Sequence, residues 1–178
     1  LEDPTNFMKE IESVLHDQGV WIFEQSYMPQ MILTNSFDTA CHEHLEFYAL
    51  KQIKWMCDEV GLKIIDVNFN DINGGSFSIT ASKKTSNFEE YRDIELILQD
   101  EKDKGFDNTN VFIDFNENAK KVKKDIIDFI SKTKLEKKTI AGLGASTKGN
   151  VVLQYCDINE KDIFAIGEVN GDKFGSYT

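Results

Sequence analysis

Hydrophobic positions near the start of the chain repeat with the spacing of a helix. They are Phe7, Met8, Ile11, Val14 and Leu15. Asp3 precedes them as a candidate N-cap, and Gly19 follows them as a candidate stop signal. The apolar run Val20–Phe23 comes next and predicts a buried strand that ends near Glu24. A helix, a glycine and a buried strand in this order predict half of a βαβ unit.

The middle of the chain alternates between helical and strand-like patterns. Residues 25–39 have mixed polarity and predict a long loop that has room for a helical turn, whereas the apolar spacing over 48–60 predicts a second amphipathic helix. Residues 62–69 and 76–81 have strand character and flank the glycine-containing turn 70–75. The two strands are therefore expected to form an antiparallel pair.

A break at residues 83–87 predicts a boundary between a domain of residues 1–84 and a domain of residues 85–178. Helices are expected over 91–104 and 119–132. The buried face of the second helix is predicted to contain Val122, Ile126, Ile127, Phe129 and Ile130.

The last part of the chain predicts a strand at 138–144, a helix at 151–155 and a strand at 162–168. This alternation is typical of an α/β fold, so the second domain is expected to be a Rossmann-like α/β lobe.

Composition narrows the class of function. The chain has 178 residues, 40% of them hydrophobic, and a formal net charge of -11. This composition supports a globular core, and the charge argues against nonspecific binding to nucleic acid or to an anionic membrane. The sequence contains no apolar run of about 20 residues, and its first residues lack the basic and apolar regions typical of a signal peptide.

Three isolated cysteines, Cys41, Cys57 and Cys156, form neither a disulfide framework nor a zinc ribbon, and they favour a reducing, cytoplasmic setting. Because the chain begins at Leu1, we expect it to be part of a longer protein.

The run from Cys41 to Glu46 contains the most distinctive chemistry. His42 and His44 flank Glu43, which places two of the chain's three histidines within three positions. Imidazole is the side chain that titrates nearest neutral pH, so His44 is a candidate general base and Glu43 a candidate partner. The same residues would also serve to cap the following helix, and spacing alone does not choose between these roles. Because the run lacks HExxH spacing, we expect no metal site.

Other candidate binding residues lie where strands meet turns. Gly144 to Asn150 joins a predicted strand to a helix, so Ser146, Thr147, Lys148 and Asn150 are candidate ligands for an anion. The turn Asn73-Gly74-Gly75 would let bare backbone approach a ligand, although an ordinary hairpin turn has the same composition. Glu24, Tyr27 and Asn35 lie at or beyond the carboxyl end of the first predicted strand, where open α/β sheets bind ligands.

Several of these motifs, in the same order, resemble the S-adenosylmethionine-dependent C-methyltransferases that methylate carbon 3 of nucleotide-linked deoxysugars. The similar segments are 19–27, 35–39, 41–45, 73–76, 144–150 and 168–175. The resemblance covers nearly the whole chain. It implies that residues 1–84 are the second half of the catalytic domain, with the end of a class I Rossmann-like sheet, and that residues 85–178 are an incomplete carboxy-terminal substrate-binding domain.

The resemblance also implies site roles. His44 would be the base that removes the proton beside the sugar ketone, supported by Glu43, with His42 as a further candidate. Glu24, Tyr27, Asn35, Asn73, Gly74 and Gly75 would contact the nucleotide-linked keto-deoxysugar. Ser146, Thr147, Lys148 and Asn150 would lie near its diphosphate. The sequence gives no indication of oligomeric state.

The family's glycine-rich cofactor loop and its zinc-binding amino-terminal domain have no counterpart in this sequence, and the family continues beyond Thr178. We therefore expect the chain to be truncated at both ends and inactive by itself, while the parent protein uses S-adenosylmethionine. A noncatalytic nucleotide-binding module or an assembly domain is the competing interpretation. A glycine-rich loop and a cysteine cluster upstream of this chain would favour the enzyme.

Overall fold

Three strands of the first half form one antiparallel sheet in the computed structural model, which describes residues 1–177. They are β1 Val20–Ser26, β2 Leu62–Asn70 and β3 Ser76–Lys83, and β3 lies between the other two. The predicted antiparallel pair of β2 and β3 is confirmed. Since β1 and β2 are both antiparallel to β3, they run in the same direction and their carboxyl ends share one edge of the sheet.

The expectation for β1 was wrong in two respects. Its hydrogen-bonded neighbour is the antiparallel strand β3, not a parallel strand of a βαβ unit. It is also not buried, because exposed and half-buried residues alternate along it and Ile22 is 64% exposed. An apolar run shows that a strand forms but does not show whether both of its faces are covered.

Four helices accompany this sheet. They are α1 Pro4–Val14, α2 Met28–Leu33, α3 Leu50–Glu59 and α4 Ile94–Asp103. The predicted cap is confirmed, because Asp3 accepts a hydrogen bond from the Asn6 N–H (2.9 Å), although α1 ends before Gly19. The segment 25–39, for which a loop with a helical turn was expected, contains the short helix α2, which has a proline in its first turn, a position that needs no backbone N–H.

The main core of the first half lies between α3 and the sheet. Its fully buried members include Leu50, Ile53, Leu62, Phe77 and Ile79. Full burial of a large aliphatic or aromatic side chain contributes roughly 1.5–3 kcal/mol. This packing fixes α3, and with it the segment just before α3, against the sheet.

The second half contains α5 Thr109–Leu135, β4 Ala141–Leu143, α6 Thr147–Tyr155 and β5 Ala165–Gly167. Strands β4 and β5 are parallel and are joined through α6, as the strand, helix, strand pattern predicted. The buried face predicted for α5 is partly wrong, because Ile127 is 39% exposed and Phe129 is 63% exposed. Ile130 is buried as expected. The helix has more apolar residues than the described neighbours cover.

The backbone divides into two compact units. The first contains Leu1–Ser36 and His44–Phe112, and the second contains Phe37–Glu43 with the residues from Ile113 onward. These units describe packing, and the domain boundary expected between residues 84 and 85 stays a prediction. None of the helices within residues 1–177 has the length and apolar character needed to cross a bilayer.

Candidate active site

Three strand ends meet at one edge of the first unit's sheet. Ser26, the last residue of β1, is paired with Ser76, the first residue of β3, and Asn70 at the end of β2 is paired with the same Ser76. The residues that follow β1 and β2 therefore lie close to the turn that precedes β3.

Tyr27 lies directly beyond the end of β1. Its ring packs against Phe69 and Phe77, with ring centroids 4.9 and 5.0 Å away. Its hydroxyl donates a hydrogen bond to Glu101 Oε1 (2.8 Å). Burial, together with the Glu101 carboxylate, holds the pKa of Tyr27 well above its usual range. The phenol is therefore a neutral hydrogen-bond donor at neutral pH.

The turn between β2 and β3 brings backbone close to α2. Gly74 and Gly75 have positive φ values of 89° and 121°. A Cβ on Gly75 would lie 2.2 Å from Cγ of Gln30, and the Gly75 carbonyl accepts a hydrogen bond from the Tyr27 N–H (3.0 Å). Both the conformation and the close approach require glycine at position 75. Asn73 also has a positive φ, of 57°, and is exposed.

A cavity of about 500 Å³ opens beside these residues within the first unit. Tyr27 and Gly75, two of the predicted substrate-binding residues, line it. Apolar surface comes from Phe69 and Leu96, and carboxylates come from Asp71 and Asp100. An aromatic face beside carboxylate and amide groups suits a ligand that carries both C–H surface and hydroxyl groups.

Asn35 and Glu24 lie near the same strand end in the sequence but have different environments. Asn35 has a φ of 53°, and its side-chain Oδ1 is buried without a hydrogen-bond partner among the described residues. A buried acceptor of this kind has capacity for a donor from a ligand or from water. Its neighbour Ser36 lies against the position where a Cβ of Gly74 would stand. Glu24 is exposed on β1, opposite Ser78.

The histidine run forms an exposed turn before α3. His42 Nε2 lies 4.0 Å from Glu43 Oε1, and their side chains are 86% and 63% exposed. Both residues belong to the second unit, whereas His44 belongs to the first. The ring of His44 is exposed and stacks on Phe47 at 5.8 Å with an interplanar angle of 9°. The stack orients the imidazole and leaves it accessible to solvent.

The loop after β4 is held by contacts within the second unit. Ser146 caps α6, because its hydroxyl accepts a hydrogen bond from the Gly149 N–H (3.0 Å). Thr147 and Lys148 begin the first turn of α6, and the Asn150 N–H donates to the Ser146 carbonyl (3.0 Å). The diphosphate roles expected of Ser146, Thr147, Lys148 and Asn150 stay predictions.

Glu168 follows β5 and contacts the loop after β4. Its carboxylate accepts hydrogen bonds from the N–H groups of Ala145 (2.7 Å), Asn170 (3.1 Å) and Val169 (2.7 Å). These three bonds hold the pKa of Glu168 below its usual range. An acid at the end of a second strand often binds the ribose of a cofactor, but here its acceptor positions are largely taken. Glu168 therefore has little acceptor capacity left for a ribose hydroxyl.

Sequence reasoning missed one buried carboxylate, Glu101. It is only 4% exposed and receives three hydrogen bonds, including the one from Tyr27. Its spacing from Ile94 and Ile97 in α4 places it on the helix face that packs inward, which was the available signal. Within residues 1–177, no cluster of three or more His, Cys, Asp or Glu side chains has the arrangement of a metal site.

Comparison with known proteins assigns the chain to a family. It is 26% identical over 153 residues to the C-methyltransferase NovU of Streptomyces niveus, and the alignment covers 86% of this chain and 36% of that protein. The chain thus spans little more than a third of the length of this relative. Residues 71–178 match the family model described as the C-methyltransferase C-terminal domain. On this match, the chain belongs to the C-methyltransferase family and contains residues of its carboxy-terminal domain.

Proposed function

We propose that the protein carrying this chain transfers a methyl group from S-adenosylmethionine to the carbon beside the ketone of a nucleotide-linked deoxysugar. The observation that supports this most strongly is the cavity at the strand ends, because two residues predicted from sequence to bind the sugar, Tyr27 and Gly75, line it. Family membership and the similarity to the C-methyltransferase NovU support the reaction class.

The sugar ring is proposed to occupy this cavity. Its C–H surface would pack on Phe69, and its hydroxyl groups would donate to Asp71 or Asp100. The Tyr27 hydroxyl, the backbone of Asn73 and Gly74, Glu24 and the unsatisfied Asn35 Oδ1 are the further proposed contacts. Ser146, Thr147, Lys148 and Asn150 are proposed to lie near the diphosphate of the nucleotide.

His44 is the proposed base. Its imidazole takes the proton from the carbon beside the ketone, and the electron pair of that C–H bond moves toward the carbonyl oxygen to form an enolate. The enolate carbon would then accept the methyl group that S-adenosylmethionine would supply when bound, while His44 keeps the proton. Glu43 and His42 are proposed to support the charged imidazole.

S-adenosylmethionine supplies the electrophilic methyl group when bound. Because the sequence has no counterpart of the family's glycine-rich cofactor loop, we propose that this chain alone does not turn over substrate. The free thiols of Cys41, Cys57 and Cys156 fit our proposal that the protein works in the reducing cytoplasm.

The test of the proposed base compares His44→Ala with His16→Ala in a methyl-transfer assay on the protein that carries this chain. His16 is an exposed histidine in the turn between α1 and β1 and serves as the matched control. We expect His44→Ala to abolish turnover and to leave the affinity for a nucleotide-linked keto-deoxyhexose nearly unchanged, with normal turnover in His16→Ala. Unchanged turnover in His44→Ala would remove this residue from the base role.

A further inference from the structure

Glu101 makes a set of contacts that joins two parts of the proposed site. We propose that Glu101 is a positioning residue that holds the Tyr27 side chain and the start of α3 together for sugar binding. The inference rests on the proposed function, because Tyr27 is a proposed sugar contact and α3 follows the His44 segment.

The three hydrogen bonds to Glu101 come from these two places. Oε1 accepts from the Tyr27 hydroxyl (2.8 Å) and from the Leu50 N–H (2.7 Å), while Oε2 accepts from the Lys51 N–H (3.2 Å). Leu50 and Lys51 are the first two residues of α3. A carboxylate at this position satisfies helix N–H groups and interacts favourably with the helix dipole. A buried carboxylate is thereby held in place by donors that include no lysine or arginine side chain.

A second contact links the same two segments at the backbone. Tyr27 and Tyr48 form a parallel bridge, and the Met28 N–H donates to the Tyr48 carbonyl (2.9 Å). Glu101 adds a connection from the tip of the Tyr27 side chain to the beginning of α3. The phenol is thus fixed at both its backbone and its hydroxyl, which restricts its rotamers.

The same region supports His44. The ring of His44 stacks on Phe47, and Phe47 packs against the buried residues Met28, Ala49 and Phe106. Ala49 immediately precedes the α3 turn that Glu101 binds. Displacement of this turn would therefore disturb both a proposed sugar contact and the support of the proposed base.

The test uses Glu101→Gln, Tyr27→Phe and the double variant in the protein that carries this chain. Glutamine retains an acceptor oxygen but places an amide where Oε2 accepts from Lys51, and phenylalanine removes only the hydroxyl. Glu95→Gln, an exposed glutamate on the same helix, is the matched control. Binding of a nucleotide-linked keto-deoxyhexose is measured by titration calorimetry, and folding is checked by circular dichroism.

We expect Glu101→Gln and Tyr27→Phe each to weaken binding about tenfold, a typical effect of losing a hydrogen bond to a charged group. The double variant is expected to bind no more weakly than the weaker single variant, because both changes break one linkage. A carboxylate with only a structural role would lower stability and leave the affinity of the folded chain unchanged.

The outcomes separate the two proposals. Absence of binding to the wild-type protein would overturn the proposed sugar site and this inference with it. Wild-type binding that Glu101→Gln leaves unchanged would overturn the inference alone. If Glu101→Gln does not fold, Tyr27→Phe tests the inference, because this variant keeps the two backbone hydrogen bonds to Glu101. Unchanged sugar-nucleotide binding in Tyr27→Phe would overturn the inference.

Discussion

Gly75 combines two constraints that a side chain would violate. Its φ of 121° is unfavourable for other residues, and a Cβ would lie 2.2 Å from Gln30 Cγ. We expect Gly75→Ala to destabilise the first unit by about 2 kcal/mol or more and to weaken sugar-nucleotide binding, because the turn lines the cavity. Urea unfolding and titration calorimetry measure the two effects.

Gly171→Ala provides the control for this substitution. A Cβ at Gly171 meets no atom within 4 Å, and its φ lies outside the strained positive range. We expect it to change stability by less than about 0.5 kcal/mol, the usual effect at a surface position. Equal unfolding midpoints for the two variants would show that the turn adapts to a side chain and would contradict the prediction.

The three thiols are expected to differ in reactivity because their environments differ. Cys57 is fully buried, and this burial, with a smaller effect of Asp58, raises its pKa to about 12. Cys156 is 3% exposed, and burial raises its pKa as well. Cys41 is only half-buried. Because the thiolate is the reactive form, iodoacetamide at about pH 8 should label Cys41 first and Cys57 last. Peptide mass spectrometry follows the order, and early labelling of Cys57 would refute it.

At the scale of elements, local periodicity predicted most helices and strands. The cap at Asp3, the antiparallel pair of β2 and β3 and the parallel pair of β4 and β5 followed from spacing and turn residues. The errors concern the solvent exposure of residues within these elements. The exposure of β1 and of Phe129 in α5 depends on which elements pack against them, and that information is not local.

Ser146 is an element-scale case in which two roles overlap. Its hydroxyl caps α6, and it is also a proposed neighbour of a diphosphate. Ser146→Ala should destabilise the second unit by about 1 kcal/mol, whereas Ser146→Asp should preserve the cap. If the loop holds a diphosphate, Ser146→Asp should weaken binding of the sugar nucleotide about tenfold through charge repulsion.

The control for this prediction is Asn159→Asp, which adds one negative charge elsewhere in the second unit at an exposed position. Titration calorimetry measures binding of the sugar nucleotide, and thermal unfolding measures the stability that the cap of α6 contributes. Wild-type affinity in Ser146→Asp would place the diphosphate away from this loop. An equal loss of affinity in Asn159→Asp would indicate a general charge effect.

At the scale of the whole molecule, the sequence predicted part of the candidate site. Tyr27 and Gly75 were recognisable because each follows a local rule, one for strand ends and one for turns. Glu101 was not recognised, since its partners Tyr27 and Leu50 are 74 and 51 residues away in sequence. A carboxylate on an apolar helix face indicates that a partner exists but does not identify it.

The buried protons predict how the stability of the first unit depends on pH. Tyr27, Tyr48 and Cys57 all have pKa values raised, first by burial and then by neighbouring carboxylates. The folded state therefore keeps protons that the unfolded state releases above about pH 8.5 for cysteine and about pH 10 for tyrosine. Stability from these groups is fully present at neutral pH and falls as pH rises beyond those values.

Tyr27 and Cys57 each contribute a slope of about 1.4 kcal/mol per pH unit once only the unfolded state has lost its proton. Above about pH 10, the free energy of unfolding of Tyr27→Phe should therefore fall less steeply than that of the wild type, by about the slope of one group. The part of the decline caused by Cys57 should remain. Urea unfolding between about pH 7 and pH 11 measures this, with an exposed tyrosine, Tyr177→Phe, as the control. An identical decline of the free energy of unfolding in wild type and Tyr27→Phe would mean that folding does not raise the pKa of Tyr27. That result would contradict an electrostatic interaction between Tyr27 and Glu101.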